Sequence, residues 1–181
     1  MRHALALLAL PLLAAPALAE DCPAPPDHSA EIEALLADVR VARDQTEAQL
    51  ISNDMWRLWA DAPNDQAQEV LDRGMRKRAA FDLQGAIEDF DRLVAYCPDY
   101  AEGYNQRAFA RFIAEDYEAA LADLDRALAL NPMHVPAMAG RAMTLMGLGE
   151  TEAAQAELRA ALQLHPWLPE RRLLAEPGTK L

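Results

Sequence analysis

Three prolines, Pro98, Pro132 and Pro166, follow one another at a spacing of 34 residues. Taking each proline as position 32 of a unit divides this part of the chain into units 67–100, 101–134 and 135–168. Position 20 is alanine in every unit, and positions 24, 27 and 28 are always apolar. A repeat of this length is typical of an α-solenoid, in which each helix hairpin buries its apolar face against its neighbours.

Each unit is predicted to contain two helices, A and B. In the middle unit, Asp99 and Asp116 are candidate N-caps for helices over about 100–114 and 117–130. Pro132 is expected to end the second helix, because proline lacks an N–H donor and disfavours a helical conformation in the preceding residue.

The small residues at positions 8 and 20, the apolar positions and the proline resemble the tetratricopeptide repeat over residues 67–168. The middle unit matches best, through Tyr104, Ala108, Tyr117, Ala120, Leu124, Ala127 and Pro132. The resemblance implies an all-α, right-handed α-solenoid and a general protein-binding framework rather than one activity. The first unit departs from the family at position 15, where Phe81 replaces the usual polar turn residue.

The segment 29–66 is predicted to form a helical cap that stacks on the first repeat, with Trp56 and Trp59 as anchors. Its residues from Ser29 to about Ala60 contain no glycine or proline, which favours a long helix with a cap at Ser29 and a bend or break near Asp44. At the other end, residues 169–181 are predicted to form a short C-terminal capping helix and a frayed tail.

Residues 1–19 have the pattern of a secretory signal peptide. A short basic start, an apolar run and the small-residue ending Ala17-Leu18-Ala19 predict cleavage before Glu20, followed by a flexible segment over 20–28. The protein is therefore expected to be periplasmic, with no membrane insertion after cleavage. Lipidation of Cys22 is disfavoured because Glu20 and Asp21 precede it instead of small residues.

The chain has two cysteines, Cys22 and Cys97. Export from the reducing cytosol favours a disulfide between them, which would tie the N-terminal segment to the end of the first repeat. The alternative is one buried thiol and one free thiol.

Arginine recurs at position 7, and an acid recurs sixteen residues later. The pairs are Arg73 with Asp89, Arg107 with Asp123, and Arg141 with Glu157. We predict that each pair closes its hairpin through the planar guanidinium fork. The alternative is a ladder of arginines offered to an acidic ligand.

The resemblance also implies a concave groove lined by the A helices. The candidate partner-binding positions are Leu71, Met75, Arg78, Asn105, Phe109, Phe112, Ile113, Met143 and Met146. Flexible methionine and phenylalanine side chains suit an apolar peptide or helix of a partner. The same residues are alternatively expected to pack on the protein's own N-terminal helix. The carboxylate clamp of some family members is missing, since Leu71, Met75, Pro136 and Gly140 stand at its positions.

Composition and motifs restrict the other function classes. The full chain has a net charge of −12, and removal of Arg2 with the signal gives 16 − 29 = −13, which excludes a basic surface for nucleic acid. No phosphate loop, nucleophile elbow or His-Glu-x-x-His motif occurs, so neither catalysis nor a cofactor is expected. The alternative function is periplasmic copper binding through Met133, His134, Met138, Met143 and Met146, because soft copper prefers such ligands.

Overall fold

The computed structural model describes residues 21–175, and the predicted signal peptide and the last residues of the predicted tail lie outside this range. The described residues contain eight α-helices and no strand. These are α1 (Ser29–Arg40), α2 (Gln45–Trp59), α3 (Asp65–Ala79), α4 (Leu83–Tyr96), α5 (Ala101–Ile113), α6 (Tyr117–Leu130), α7 (Val135–Gly147) and α8 (Thr151–Leu164). A 3₁₀ helix follows over Pro169–Leu173. Between residues 21 and 175, no helix has both the length and the apolar character needed to cross a bilayer.

Helices α3 to α8 form three hairpins that stack in chain order. Within the hairpins α3 packs on α4, α5 on α6 and α7 on α8, and the hairpins are joined through α4 with α5 and α6 with α7. The predicted α-solenoid is confirmed. We call the surface formed by the A helices α3, α5 and α7 the inner face.

The three A-to-B turns share one backbone conformation. Position 15 of the units has a positive φ in each case, at 62° for Phe81, 60° for Glu115 and 80° for Gly149. Only Gly149 is free of the steric conflict that a Cβ atom causes in this left-handed region. The unusual Phe81 therefore keeps the turn geometry of the other units, and its side chain is 79% exposed.

Helix ends differ in detail from the predicted caps. Helix α5 begins after Tyr100 rather than Asp99, and neither Tyr100 nor Asp116 makes a side-chain cap hydrogen bond. At α1 the N-cap is His28 and not Ser29. Asp44, in contrast, caps α2 by accepting hydrogen bonds from the N–H groups of Thr46 and Glu47.

The predicted long N-terminal helix is interrupted between α1 and α2, close to the expected break, and folds into a hairpin. We call α1 and α2 the N-terminal hairpin. Its apolar side chains pack mainly on the third repeat, whereas the first was predicted: Trp59 shares a core with Val135, against which Leu164, Trp167 and Leu168 also pack. Its contact with the first repeat is a hydrogen bond from the Tyr100 hydroxyl to the Trp59 carbonyl. The physical reason lies in composition, since α3 is mostly polar while residues 164–168 offer large apolar side chains.

A disulfide joins Cys22 to Cys97, with the two Cα atoms 5.2 Å apart. Cys97 is buried in the core of the first hairpin, together with Leu71, Phe90 and Tyr100. The bond therefore fixes the segment that precedes α1 to the end of α4. The C-terminal capping helix is the 3₁₀ helix, which packs on α8.

Candidate functional site

A partly open cavity of about 270 Å³ lies on the inner face, between α5, α7 and the 3₁₀ helix. Most of its walls are apolar. The lining residues are Trp56, Arg78, Asn105, Ala108, Phe109, Phe112, Leu124, Pro136, Ala139, Gly140, Met143, Thr144, Leu168, Pro169 and Glu170. We call this space the inner-face cavity.

Five of the predicted groove residues line this cavity: Arg78, Asn105, Phe109, Phe112 and Met143. Their helical spacing on α5 and α7 turns them towards one space, and Phe109 remains 43% exposed there. A set of this kind, with an accessible aromatic ring among aliphatic walls, is suited to hold an apolar group.

The other four predicted groove residues are not in the lining. Leu71 is fully buried in the first core, and Met75 packs against the same core. Ile113 and Met146 are half-buried outside the cavity. The groove therefore does not run along all three units, because the first unit uses its inner-face apolar residues for its own core.

The N-terminal hairpin covers the part of the inner face where the A helices begin. The Trp59 ring stacks on the His134 ring with a centroid distance of 5.0 Å, and Ser52 Oγ lies 2.7 Å from His165 Nε2. Trp56, which precedes Trp59 by three residues on α2, is 38% exposed and forms part of the cavity wall. The protein's own chain thus occupies part of the predicted groove and borders the part that stays open.

A chain of buried polar side chains lies beneath the hairpin. Glu102 accepts hydrogen bonds from Asn105 and Gln106, and its Oε2 is 2.9 Å from His134 Nε2. Gln106 in turn accepts a hydrogen bond from Arg78. These contacts link three successive A helices and supply hydrogen-bond partners for Glu102 and Gln106, which would be costly to bury alone. His134 Nε2 is buried close to Glu102 but makes no hydrogen bond within residues 21–175.

Arg78 stands at one end of the cavity. Its guanidinium lies over the Phe109 ring at 4.3 Å from the centroid. Burial lowers the pKa of Arg78, while the nearby Glu102 carboxylate acts in the opposite direction. The positive charge is therefore held by contacts within the protein.

Glu170 stands at the other end, on the 3₁₀ helix. Its Oε2 is buried and has no hydrogen-bond partner among residues 21–175. The sequence predicts a short helix here but not that Glu170, Trp56 and Leu168 line the cavity. The available signal was that Trp167-Leu168-Pro169-Glu170 begins like a further A helix and so continues the inner face.

The repeated arginines contact the acids with which they recur. Arg73 makes two hydrogen bonds to Asp89, at 3.0 and 3.1 Å, and Arg107 makes two to Asp123. Burial opposes ionisation of Asp89, but hydrogen bonds from Arg73 and from Lys77 lower its pKa. In the third unit Arg141 makes one hydrogen bond to Glu157, at 3.0 Å.

Two of these arginines also reach the preceding repeat, which the sequence reasoning missed. Arg107 donates to Asp91 and Arg141 donates to Asp125, both at 2.7 Å. The signal was present, because Asp91 and Asp125 both occupy position 25. The arginines are therefore bound to carboxylates within the solenoid instead of facing a ligand.

Two of the proposed copper ligands lie in different surroundings. Met133 packs with the N-terminal hairpin, whereas Met143 lines the inner-face cavity. His134 Nδ1 accepts a hydrogen bond from the Ala137 N–H as the cap of α7. This hydrogen bond gives His134 a structural role.

Comparison with known proteins supports the repeat assignment. Residues 111–175 match the family model described as tetratricopeptide repeat. No curated protein matches the sequence significantly.

Several solved structures have a similar fold. The second TPR of Spaghetti (RPAP3), bound to the HSP90 peptide SRMEEVD, is 28% identical, with a TM-score of 0.54 over 56% of this chain and 94% of that chain. The second TPR domain of human RPAP3, in complex with the HSP70 peptide SGPTIEEVD, is 27% identical, with a TM-score of 0.57 over 60% of this chain and 90% of that chain.

The crystal structure of MamA is 24% identical, with a TM-score of 0.53 over 72% of this chain and 74% of that chain, and shows likeness of fold alone. The chain is therefore an all-helical α-solenoid whose residues 111–175 are similar to the tetratricopeptide repeat, and its fold is similar to that of solved tetratricopeptide-repeat domains.

Proposed function

We propose that the protein is a non-enzymatic, periplasmic interaction scaffold that binds a protein or peptide segment in the inner-face cavity. The observation that carries this proposal is the cavity itself: it is apolar, partly open, and located on the face where the N-terminal hairpin leaves the A helices uncovered. The RPAP3 domains, which share the fold at 27 to 28% identity, bind short peptides. Their peptides end in acidic residues, whereas this chain lacks the carboxylate clamp.

The role of the cavity is tested by crosslinking. A photoreactive side chain introduced at Met143 should label a partner in periplasmic extract, and mass spectrometry of the adduct identifies the labelled peptide segment. Phe109→Glu combined with Phe112→Glu should abolish labelling, because two carboxylates in an apolar cavity oppose binding of an apolar group.

The matched control is Phe81→Glu, which makes the same chemical change at a residue that is 79% exposed in the first A-to-B turn. The Phe81→Glu variant should label the partner to the same extent as the wild type. Equal labelling by the wild type and by the Phe109 and Phe112 double variant would contradict a role for the cavity.

The location is tested separately. N-terminal sequencing of the protein isolated from a periplasmic fraction should begin at Glu20. A chain that retains Met1 and stays in the cytosol would contradict export.

A further inference from the structure

We infer that the inner-face cavity selects a segment in which one large apolar side chain is adjacent to a lysine or arginine. This inference rests on the proposed function and specifies the chemistry of its partner. The apolar side chain would lie against Phe109 and Met143, and the basic group would bind Glu170.

The size and the lining of the cavity determine which apolar side chain of a partner segment it accepts. A volume of about 270 Å³ is just below the range of roughly 300–1,000 Å³ typical of ligand pockets. Such a space accepts one or two side chains and not a folded surface. Phe109, Phe112, Leu124 and Met143 line it, so an aromatic or leucine side chain is the group that gains most by entering.

The charged part follows from the difference between the two ends of the cavity. At one end, the positive charge of Arg78 is already compensated within the protein. Its guanidinium donates to Gln106, lies over the Phe109 ring and is close to the Glu102 carboxylate. At the other end, Glu170 Oε2 is buried with no partner among the described residues. A buried carboxylate oxygen without a donor is unfavourable, and a cationic N–H donor is its strongest complement.

The charge of the whole chain favours the same partner. A net charge of −12 attracts basic segments over long distances and repels acidic ones. Acidic tails of the kind bound by the RPAP3 domains would therefore approach this protein against its field and place a second carboxylate near Glu170.

The probe is a positional library of fluorescent hexapeptides with a central phenylalanine and one neighbouring position fixed as Lys, Glu or Ala. Fluorescence anisotropy is recorded with the full exported chain. For the wild type we expect peptides with lysine to bind at least tenfold more tightly than those with glutamate, because the ion pair forms in a partly desolvated site.

Two variants separate a local effect of Glu170 from the overall charge. Glu170→Lys should reverse the preference, so that peptides with glutamate bind more tightly. Glu152→Lys makes the same change at an exposed residue of α8 outside the cavity lining and should keep the preference for lysine. Circular dichroism of both variants confirms that the helices are intact.

The outcomes distinguish the inference from the function on which it rests. Binding that Phe109→Glu with Phe112→Glu abolishes, but that shows no preference between lysine and glutamate, overturns the inference and leaves the scaffold function standing. A preference that Glu170→Lys does not change also overturns the inference. Binding that is absent, or unaffected by the double variant, overturns both.

Discussion

At the scale of single residues, position 15 of the repeats is under backbone constraint. Gly149 has φ of 80°, and a Cβ added there would meet no other atom within 4 Å. Gly149→Ala therefore adds only the cost of a left-handed conformation, and we expect it to lower the free energy of unfolding by about 1 kcal/mol. Urea titration followed by circular dichroism measures the change.

Phe81 allows the opposite substitution. Because φ is 62° and the ring is exposed, Phe81→Gly should relieve backbone strain and raise the free energy of unfolding by about 0.5 kcal/mol after the entropic cost of glycine. Phe81→Ala is the control, since it removes the ring but keeps the Cβ atom. If both variants gain the same stability, removal of an exposed aromatic ring and not the backbone is the cause.

His165 makes the contact between the hairpin and the C-terminal end sensitive to acid. Its Nδ1 accepts from the Trp167 N–H, so Nε2 carries the proton and donates to Ser52 Oγ, which itself donates to the Ala48 carbonyl. Burial lowers the pKa of His165. The unfolded chain binds a proton more readily than the folded one. The stability that neutral His165 contributes is therefore fully present above about pH 6.5 and is lost as pH falls through the lower, folded-state pKa.

We therefore expect His165→Gln to reduce the loss of stability between about pH 6.5 and 5 relative to the wild type. His28 provides a contrast of opposite sign, because its hydrogen bond with Asp61 raises the pKa of His28. The stability it contributes is present below about pH 6.5 and is lost as pH rises through the folded-state pKa. His28→Gln should accordingly remove a gain in stability that the wild type shows as pH falls from about 8 to 6.5, and should change the profile little below that pH. Thermal unfolding across this pH range provides the comparison, and identical profiles would contradict the role of His165.

At the scale of helices, the first hairpin is packed differently from the other two. It combines Gly74 with Phe90, where the later units have alanine with leucine at the same two positions. A Cβ atom on Gly74 would lie 2.5 Å from the Phe90 ring. Gly74→Ala should therefore destabilise the protein by about 1–3 kcal/mol through overpacking of α3 against α4.

The double variant Gly74→Ala with Phe90→Leu reproduces the pair used by the other units. We expect it to recover most of the stability lost in Gly74→Ala, although Phe90→Leu alone is destabilising because it leaves a cavity. Denaturant unfolding of all four proteins completes the cycle. Additive losses in the double variant would show that the two positions are not coupled.

At the scale of the whole molecule, the disulfide closes a loop of 75 residues. Its removal should lower the free energy of unfolding by about 4 kcal/mol, because the unfolded chain gains freedom. The measurement is thermal unfolding with and without dithiothreitol. The Cys22→Ser variant is the control and should not respond to the reductant. A wild type that unfolds at the same temperature in both conditions would contradict this contribution.

The predictability of this structure depends on whether a feature repeats. The regular spacing of Pro98, Pro132 and Pro166 predicts the three hairpins. The pairing of Arg73 with Asp89 is predicted because both residues recur at a fixed separation. The stacking of Trp59 on His134 occurs once and joins residues 75 apart, so no periodic signal marks it. For the same reason the sequence predicts stacking on the first repeat, although most apolar partners of the hairpin lie in the third.

The candidate site follows the same rule. Phe109 and Met143 were predicted because the family assigns inner-face positions on each A helix. Leu71 does not line the cavity, and a shared position does not reveal that the first unit buries this residue. Glu170 lies after the last complete unit, where the pattern of positions ends.

The N-terminal hairpin has a mechanical consequence for the array. Solenoids bend readily because each repeat contacts only its neighbours. Here one segment is covalently joined to the first repeat through Cys22 and contacts the last through Ser52 and His165. Because this segment is attached to both ends of the array, it opposes motions that would change the curvature of the solenoid. If a partner binds the inner face as proposed, less conformational entropy is lost on association, because the width of this face is already held in the free protein.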